Sequence, residues 1–208
     1  MGALEVMTKL YTNRSEEARV RLKALNAVSA LIRGNATNEL WFLFHEGLGT
    51  LRLDIQLSDL NTCRKALFVL SSLLGSNPAF KAAVLQIEER PSTQGKGVLP
   101  EVVACLNSSD PQVLEFAVST LLALLDGAGR EYPTMLARQF PQLRPALQRR
   151  ITALTTDDPE SEEQVAEAPE VQETRRLLEL ISRTQRPEPQ ARHQARRAAA
   201  RPARGRKL

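Results

Sequence analysis

The 208-residue chain is poor in the residues that build most catalytic, metal and disulfide sites. It has two cysteines and two histidines, and only 4% of its residues are aromatic. Cys63 and Cys105 form no Cys-x-x-Cys pair and lie among apolar residues, so we expect two small buried thiols and no disulfide framework. His45 and His193 have no partners at metal-ligand spacing. We therefore expect no metal and no cofactor.

Enzyme motifs and long apolar runs are also missing. The chain contains no Gly-rich phosphate loop, no G-x-S-x-G and no H-E-x-x-H. Its carboxylates concentrate in DDPESEEQVAEAPEVQE, residues 157–173, which is typical of a solvated linker. No segment is apolar and long enough to span a membrane. These absences favour a binding protein over an enzyme, with no catalytic residues, no small-molecule substrate and no membrane partner.

The positive charge of the chain lies at its C-terminal end. Residues 186–208 contain seven Arg, one Lys and one Glu, a net +7, whereas the whole chain carries +4. This segment has no apolar periodicity and no aromatic residue for base stacking, so we predict a disordered tail. We do not expect a nucleic-acid partner. A nucleic-acid binder that acts through the tail is an alternative, and it predicts steep salt dependence.

Apolar residues recur at helical spacing, and they belong to a repeat. KALNAVSALIRGNATNELWFL, from Lys23, aligns without gaps on KALFVLSSLLGSNPAFKAAVL, from Lys65, at an offset of 42 residues. AVSTLLALL, from Ala117, aligns on ALFVLSSLL, from Ala66, at an offset of 51, and the polar insert ERPSTQGKG at 89–97 accounts for the extra length. Such a period is typical of armadillo or HEAT arrays, whose units bury their apolar faces by stacking.

Each unit is predicted to contain three helices. A short first helix follows Asn38 or Asn77, and a second covers LGTLRLDIQL or GVLPEVVACL, with Gly47 or Gly97 before it. This order favours armadillo over HEAT, and an irregular helical bundle is the alternative. Ser15, Asn38 and Asp110 are the candidate N-caps. The longer third helices are predicted at 15–33, 59–75 and 110–126.

The predicted fold class is therefore all-α. It is an armadillo-like α-solenoid of about three to four helical repeats with a C-terminal capping helix and a disordered tail. Beyond Gly129 the prolines Pro133, Pro141 and Pro145 interrupt the pattern. The predicted organisation is a solenoid at 1–155, an acidic linker at 156–170, a C-terminal helix at 171–185 and a disordered basic tail at 186–208.

The stretch RKALFVLSSLLGSNPAFKAAVL, residues 64–85, resembles the armadillo-type nucleotide exchange factors of heat shock protein 70 chaperones. Their third-helix pattern is R/K-K-A-L-x-x-L/V-S-S-L-[LI], followed by a short break that often contains Asn-Pro. Residues 64–74 match this pattern, and they are nearer to the Sil-type factor that serves BiP than to the cytosolic Fes-type and Hsp-binding relatives. The resemblance covers about residues 2–155 and trailing helices near 142–182. The family's N-terminal segment is missing, and neither the insert at 89–97 nor the basic tail fits the pattern.

In that family the concave face, which the third helices line, clasps one lobe of the chaperone's nucleotide-binding domain, and ADP leaves. The resemblance implies a monomer whose partner is such a domain, from BiP or a cytosolic chaperone. It also implies the partner-binding residues. They are Arg19, Lys23 and Asn26, then Asn61, Arg64, Lys65, Phe68 and Ser72, then Gln112, Glu115 and Ser119.

A generic armadillo adaptor without exchange activity is the alternative function. The Trp/Asn pair of peptide-binding armadillo grooves is absent at the corresponding positions of this chain. Three glycosylation sequons, at Asn13, Asn35 and Asn107, fall in predicted loops and weakly favour the secretory pathway. We expect the endoplasmic reticulum lumen if a signal segment precedes this sequence, and otherwise the cytoplasm.

Overall fold

The computed structural model describes residues 2–57, 59–88, 97–129, 131–156 and 168–183. The regular elements in these ranges are helices, with no strand among them. The predicted tail and most of the predicted acidic linker lie outside the described residues. The helices are α1 (Ala3–Thr12), α2 (Ala18–Ile32), α3 (Ala36–Phe42), α4 (Leu48–Leu57), α5 (Leu60–Ser76), α6 (Pro78–Glu88), α7 (Leu99–Cys105), α8 (Pro111–Leu125), α9 (Glu131–Gln139), α10 (Leu143–Thr156) and α11 (Pro169–Arg183).

These helices repeat in threes, as the offset of 42 residues predicts. Helices α3, α4 and α5 form one unit, and α6, α7 and α8 form the next, while α1 and α2 supply the second and third helices of the unit before them. The third helices pack side by side, α2 against α5 and α5 against α8. Their buried residues are mainly aliphatic and form one continuous core along the array. Stacking of neighbouring units therefore buries the apolar stripes seen in the sequence.

Two of the three predicted N-caps are wrong. The Asn35 side chain, and not that of Asn38, caps α3, because its Oδ1 accepts the Asn38 backbone N–H at 3.1 Å. Glu17, and not Ser15, stands at the N-cap of α2, since the Ser15 hydroxyl and backbone N–H both donate to the Asn13 side chain. Asp110 caps α8 as predicted and accepts the Val113 N–H at 2.9 Å.

Asn77 caps α6 and also joins two units. Its Oδ1 accepts the backbone N–H groups of Ala79 and Phe80, each at 3.0 Å. Its Nδ2 donates at 2.8 Å to the carboxylate of Glu39, a buried residue of α3, which is the first helix of the preceding unit. Glu39 also accepts the Ser76 hydroxyl at 3.3 Å. The Asn-Pro break therefore connects α6 to α3 through a buried, charge-assisted hydrogen bond.

Both glycines that precede second helices occupy crowded positions. A Cβ on Gly47 would lie 2.5 Å from the carbonyl oxygen of Phe42, and a Cβ on Gly97 would overlap the Glu88 carboxylate. Glu88 is buried at the end of α6 and accepts the N–H groups of Val98 and Leu99 at 2.6 and 3.1 Å. The Glu88 side chain thus caps α7 and holds together the two chain ends that flank residues 89–96.

Helices α9, α10 and α11 follow the same order of first, second and third helix. Pro133 does not interrupt a helix, because it is the third residue of α9, where its missing N–H has no intrahelical partner to lose. Helix α11 packs on α8, α9 and α10, and its Leu177 and Ile181 are buried. Buried Arg150 links α10 to α11 through Glu170 at 3.5 Å and Thr174 at 3.4 Å.

A buried ionic cluster joins the first helices to α4. Asp54 is fully buried, and its Oδ1 accepts from Arg14 at 2.6 Å and from Arg21 at 3.3 Å. Arg14 also donates to the Thr50 carbonyl at 3.1 Å. Burial and the neighbouring Asp54 raise the pKa of Tyr11 well above its ordinary value, so this phenol stays protonated. The cluster fixes α4 against the loop between α1 and α2.

Candidate functional site

The side chains that α2, α5, α8 and α11 turn away from the core share one surface, which we call the third-helix face. Helix α5 lies in the middle of this row, between α2 and α8, and α11 continues the row on the other side of α8. The sequence motif RKALFVLSSLL forms most of α5. The core takes the apolar side chains Ala66, Leu67, Val69, Leu70, Leu73 and Leu74 of the motif. The half-buried side chains Arg64, Lys65, Phe68, Ser71 and Ser72 remain for the middle of the third-helix face.

Phe68 is the centre of this face. Its ring meets the Phe116 ring of α8 edge-on, with centroids 5.9 Å apart. The Nζ of Lys65 lies 4.9 Å from the centroid of the Phe68 ring, and the guanidinium carbon of Arg33, just after α2, lies 5.5 Å from it. Two cations from different units therefore share one aromatic ring. Arg33 was not among the predicted site residues.

No carboxylate of a described residue forms an ion pair with Lys65 or with Arg33. The Lys65 ammonium donates a long hydrogen bond of 3.4 Å to the Ser29 hydroxyl. Burial and the nearby positive charge of Arg33 lower the pKa of Lys65. Lys65 is half-buried and Arg33 is exposed, so the two form a local concentration of positive charge that the partial burial of Lys65 strengthens.

Arg64 differs from its neighbour, because it is already neutralised. Its Nε donates to Asp110 Oδ1 at 3.0 Å and a second nitrogen donates to Asp110 Oδ2, while a third bond of 3.4 Å reaches Asn61. The hydrogen bond from Arg64 lowers the pKa of Asp110. Since Asp110 is the N-cap of α8, Arg64 fixes the start of α8 relative to α5. The geometry thus gives Arg64 a structural contact, and the prediction of a partner contact there stays untested.

The other predicted residues lie on the same face but do not form one cluster. Arg19, Lys23 and Asn26 are exposed along α2, and their side chains make no hydrogen bond or ion pair with the described residues. On α5, Asn61 is exposed and Ser72 is half-buried. On α8, Gln112 is exposed, Glu115 is half-buried, and the Ser119 hydroxyl donates to Glu173 of α11 at 3.1 Å.

Charge changes sign along the third-helix face. The end formed by α2 and α5 presents Lys23, Arg33 and Lys65, whereas the junction of α8 and α11 presents Asp126 and Glu173. A shallow pocket lies at that junction, and Arg176 crosses it to Asp126 at 3.2 Å. The offset of 51 residues predicts from the sequence that α8 lies on this face. The contact between α8 and α11 could not be predicted from the sequence, because α11 lacks the motif.

The three sequon asparagines lie between helices, as predicted. Asn13 is exposed after α1, and Asn35 is exposed before α3, where it serves as the cap. Asn107 is exposed after α7 and accepts from Arg149 at 3.2 Å.

The described part of the chain offers little for chemistry. It contains no group of three or more His, Cys, Asp or Glu that could hold a metal ion. Cys63 and Cys105 are free thiols, and Cys63 is buried as expected, whereas Cys105 is only half-buried. None of the described helices can cross a membrane alone, and α5 with α6 reaches the required length only as a pair bent by 114°. The arrangement can bind a surface, and the third-helix face is the candidate for that contact.

Comparison with known proteins supports the fold. No protein-family model and no curated protein sequence matches the chain. A designed armadillo repeat protein matches with a TM-score of 0.63 and 17% identity, over 86% of this chain and 65% of that protein. Two crystal structures of engineered proteins match with TM-scores of 0.59 and 0.51 and identities of 17% and 19%, over 88% and 87% of this chain and 70% and 48% of theirs. The chain thus spans just under two thirds of the designed armadillo protein, and the likeness shows an all-α, armadillo-like solenoid fold.

Proposed function

We propose that this chain is a nucleotide exchange factor of a heat shock protein 70 chaperone. One observation carries the proposal: the motif RKALFVLSSLL forms the middle helix of the third-helix row and leaves its non-core side on the open face. In the exchange factors that the motif resembles, this face holds the chaperone's nucleotide-binding domain. The clustered cations and the aromatic pair on α5 and α8 give such a partner both charge and apolar area to contact.

Exchange needs no catalytic group. A partner that binds the open form of the nucleotide-binding domain more tightly than the ADP-bound form must weaken ADP binding by linkage. Each tenfold loss of ADP affinity requires about 1.4 kcal/mol of differential contact energy. A long face of stacked helices can supply this through many weak contacts.

The chaperone served would be BiP in the endoplasmic reticulum lumen or its cytosolic counterpart, and the chain would act as a monomer. The motif favours BiP, and exposed sequons agree with a secretory compartment. A generic adaptor without exchange activity is the alternative, and the armadillo-like fold supports it equally.

Stopped-flow release of fluorescent ADP tests the proposal. The nucleotide-binding domain of BiP, or of a cytosolic heat shock protein 70, is loaded with labelled ADP and mixed with the chain and excess unlabelled ATP. We expect release to accelerate at least about tenfold at micromolar protein with one of the two domains. Equal ADP release rates with and without the chain, for both domains, would refute exchange activity. The generic adaptor would then be the remaining function.

A matched pair of alanine variants locates the binding face. Ala30 is exposed on α2, on the third-helix face, and Ala104 is exposed on α7, a second helix. Ala30→Trp should slow chaperone-dependent ADP release, because the indole occupies the space that the partner needs, whereas Ala104→Trp should match the wild type. The opposite ranking would place the binding surface on the second helices. Reversal of charge at Arg64 is a poorer test, since it would also disturb the N-cap of α8.

A further inference from the structure

The Phe68 ring with Lys65 and Arg33 forms a site that lacks its counter-charge. Both cations lie over an aromatic ring, and neither forms an ion pair with a described carboxylate. The two cations come from different units, Lys65 from α5 and Arg33 from the end of α2, so the stacking of the units brings them together. Both charged groups lie within 5.5 Å of the centroid of the same ring, so they repel each other, and a bound anion would relieve that repulsion.

We propose that Lys65 and Arg33 bind a carboxylate on the partner protein, from a Glu or Asp side chain that lies next to an apolar group. The carboxylate would accept from the ammonium and the guanidinium together, and the apolar group would cover the part of the half-buried Phe68 and Phe116 side chains that is still exposed. The inference rests on the proposed function, in which a folded chaperone domain occupies the third-helix face, and it names the chemistry of the contact at the centre of that face.

The geometry favours a protein carboxylate over a nucleic acid. Single-stranded nucleic acids bind by stacking bases on open aromatic faces. The Phe68 ring is unsuited to this, because the two cations already lie over it and Phe116 contacts it edge-on. A site with covered rings and two cations is suited to a compact anion, and on a folded partner a carboxylate beside an apolar side chain provides one.

The test uses the full chain with its lysines dimethylated with ¹³C, a modification that keeps their charge. The chain has six lysines, so their NMR signals can be assigned with single Lys→Arg variants. The probe is a peptide of six glutamates with blocked ends, titrated at low salt, and the matched probe is a hexathymidylate. Lys23 is the internal comparison, since it is exposed on the same face without a ring beneath it.

We expect the Lys65 signal to move with the glutamate peptide, to saturate, and to move at least about three times as far as the Lys23 signal. Equal movement of the two signals would overturn the inference, because it would mean non-specific attraction. Movement of Lys65 at lower concentrations of hexathymidylate than of peptide would also overturn it, in favour of a nucleic acid.

The exchange assay separates this inference from the proposed function. Lys65→Gln with Arg33→Gln should weaken binding to the nucleotide-binding domain about tenfold, whereas Arg19→Gln with Lys23→Gln, an equal loss of charge, should weaken it about threefold or less. If wild-type exchange occurs and the first pair has no effect, the inference fails and the function stands. If the wild type has no exchange activity, the proposed function fails and the peptide titration alone decides the inference.

Discussion

Asn77→Asp is a nearly isosteric change whose effect depends on the contact between two units. As an N-cap, Asp is about as good as Asn, because either side chain can accept the N–H groups of Ala79 and Phe80. The change nevertheless replaces the amide that donates to Glu39 at 2.8 Å with a second carboxylate oxygen. Both residues are buried, with 4% and 2% of their surface exposed. Capping alone therefore predicts no loss of stability, and the bridge to Glu39 predicts a large one.

The magnitude follows from two terms. Loss of a buried hydrogen bond to a charged group costs about 1.5–3 kcal/mol. Two buried carboxylates in contact also cannot both ionise easily, and each pKa unit by which one is raised costs about 1.4 kcal/mol at neutral pH. We expect Asn77→Asp to lower the free energy of unfolding by about 3–5 kcal/mol at pH 7, a large part of the stability of a typical domain.

Urea unfolding followed by circular dichroism measures this loss, and the matched control is Asn35→Asp. Asn35 occupies the same position one repeat earlier and caps α3, but it is exposed and makes no contact with a carboxylate, so its replacement should change stability by about 0.5 kcal/mol or less. Glu39→Gln should restore part of the loss in the Asn77→Asp chain. In the Asn77→Asp chain, one of the two facing carboxylates should stay protonated, with a raised pKa. This variant should therefore be relatively more stable at pH 4–5, and its stability should fall as the pH rises. If the Asn77→Asp chain is as stable as the wild type at pH 7, the Glu39–Asn77 bridge is refuted.

Four further substitutions test the buried polar groups and the glycines at the start of α4. Asp54→Ala should cost about 3–5 kcal/mol in urea unfolding, because it leaves the largely buried Arg21 guanidinium without its carboxylate, and a loss under 1 kcal/mol would contradict the cluster. Burial raises the pKa of Glu88, so the stability of the wild type relative to Glu88→Gln should fall as the pH rises above about 4.5, and parallel pH profiles would argue against that shift. Gly47→Ala should lower the melting temperature, whereas Gly49→Ala, with open space around its Cα, should raise stability by about 0.5–1 kcal/mol.

Periodicity made the array predictable from sequence. A gapless match over 21 residues fixes both the helices and their register, since each helix of a unit packs on its counterpart in the next. It also paired Asn35 with Asn77, and both proved to be caps. The choice of Asn38 as the cap failed because a local preference for Asn at helix starts cannot decide between two asparagines three residues apart.

Contacts between distant side chains were less predictable. Lys65 and Arg64 are adjacent in sequence, yet Asp110 neutralises Arg64 while Lys65 has only a weak hydroxyl partner. Which of the two finds a carboxylate depends on the rotation of α8 about its axis, and the helical pattern does not encode that rotation to within one side chain. Arg33 was missed for the same reason, because it follows α2 and approaches Phe68 only when the units stack.

The Glu88 contact offers a practical insertion point. Glu46 and Glu88 are related by the 42-residue offset, while Gly47 and Gly97 are 50 residues apart, so the segment 89–96 contains eight of the nine added residues. The Glu88 carboxylate holds Val98 and Leu99 on the far side of that segment. We expect a fluorescent reporter or an affinity tag placed within 89–96 to leave the register of the later units unchanged. Such a chain would report partner binding without a label on the third-helix face.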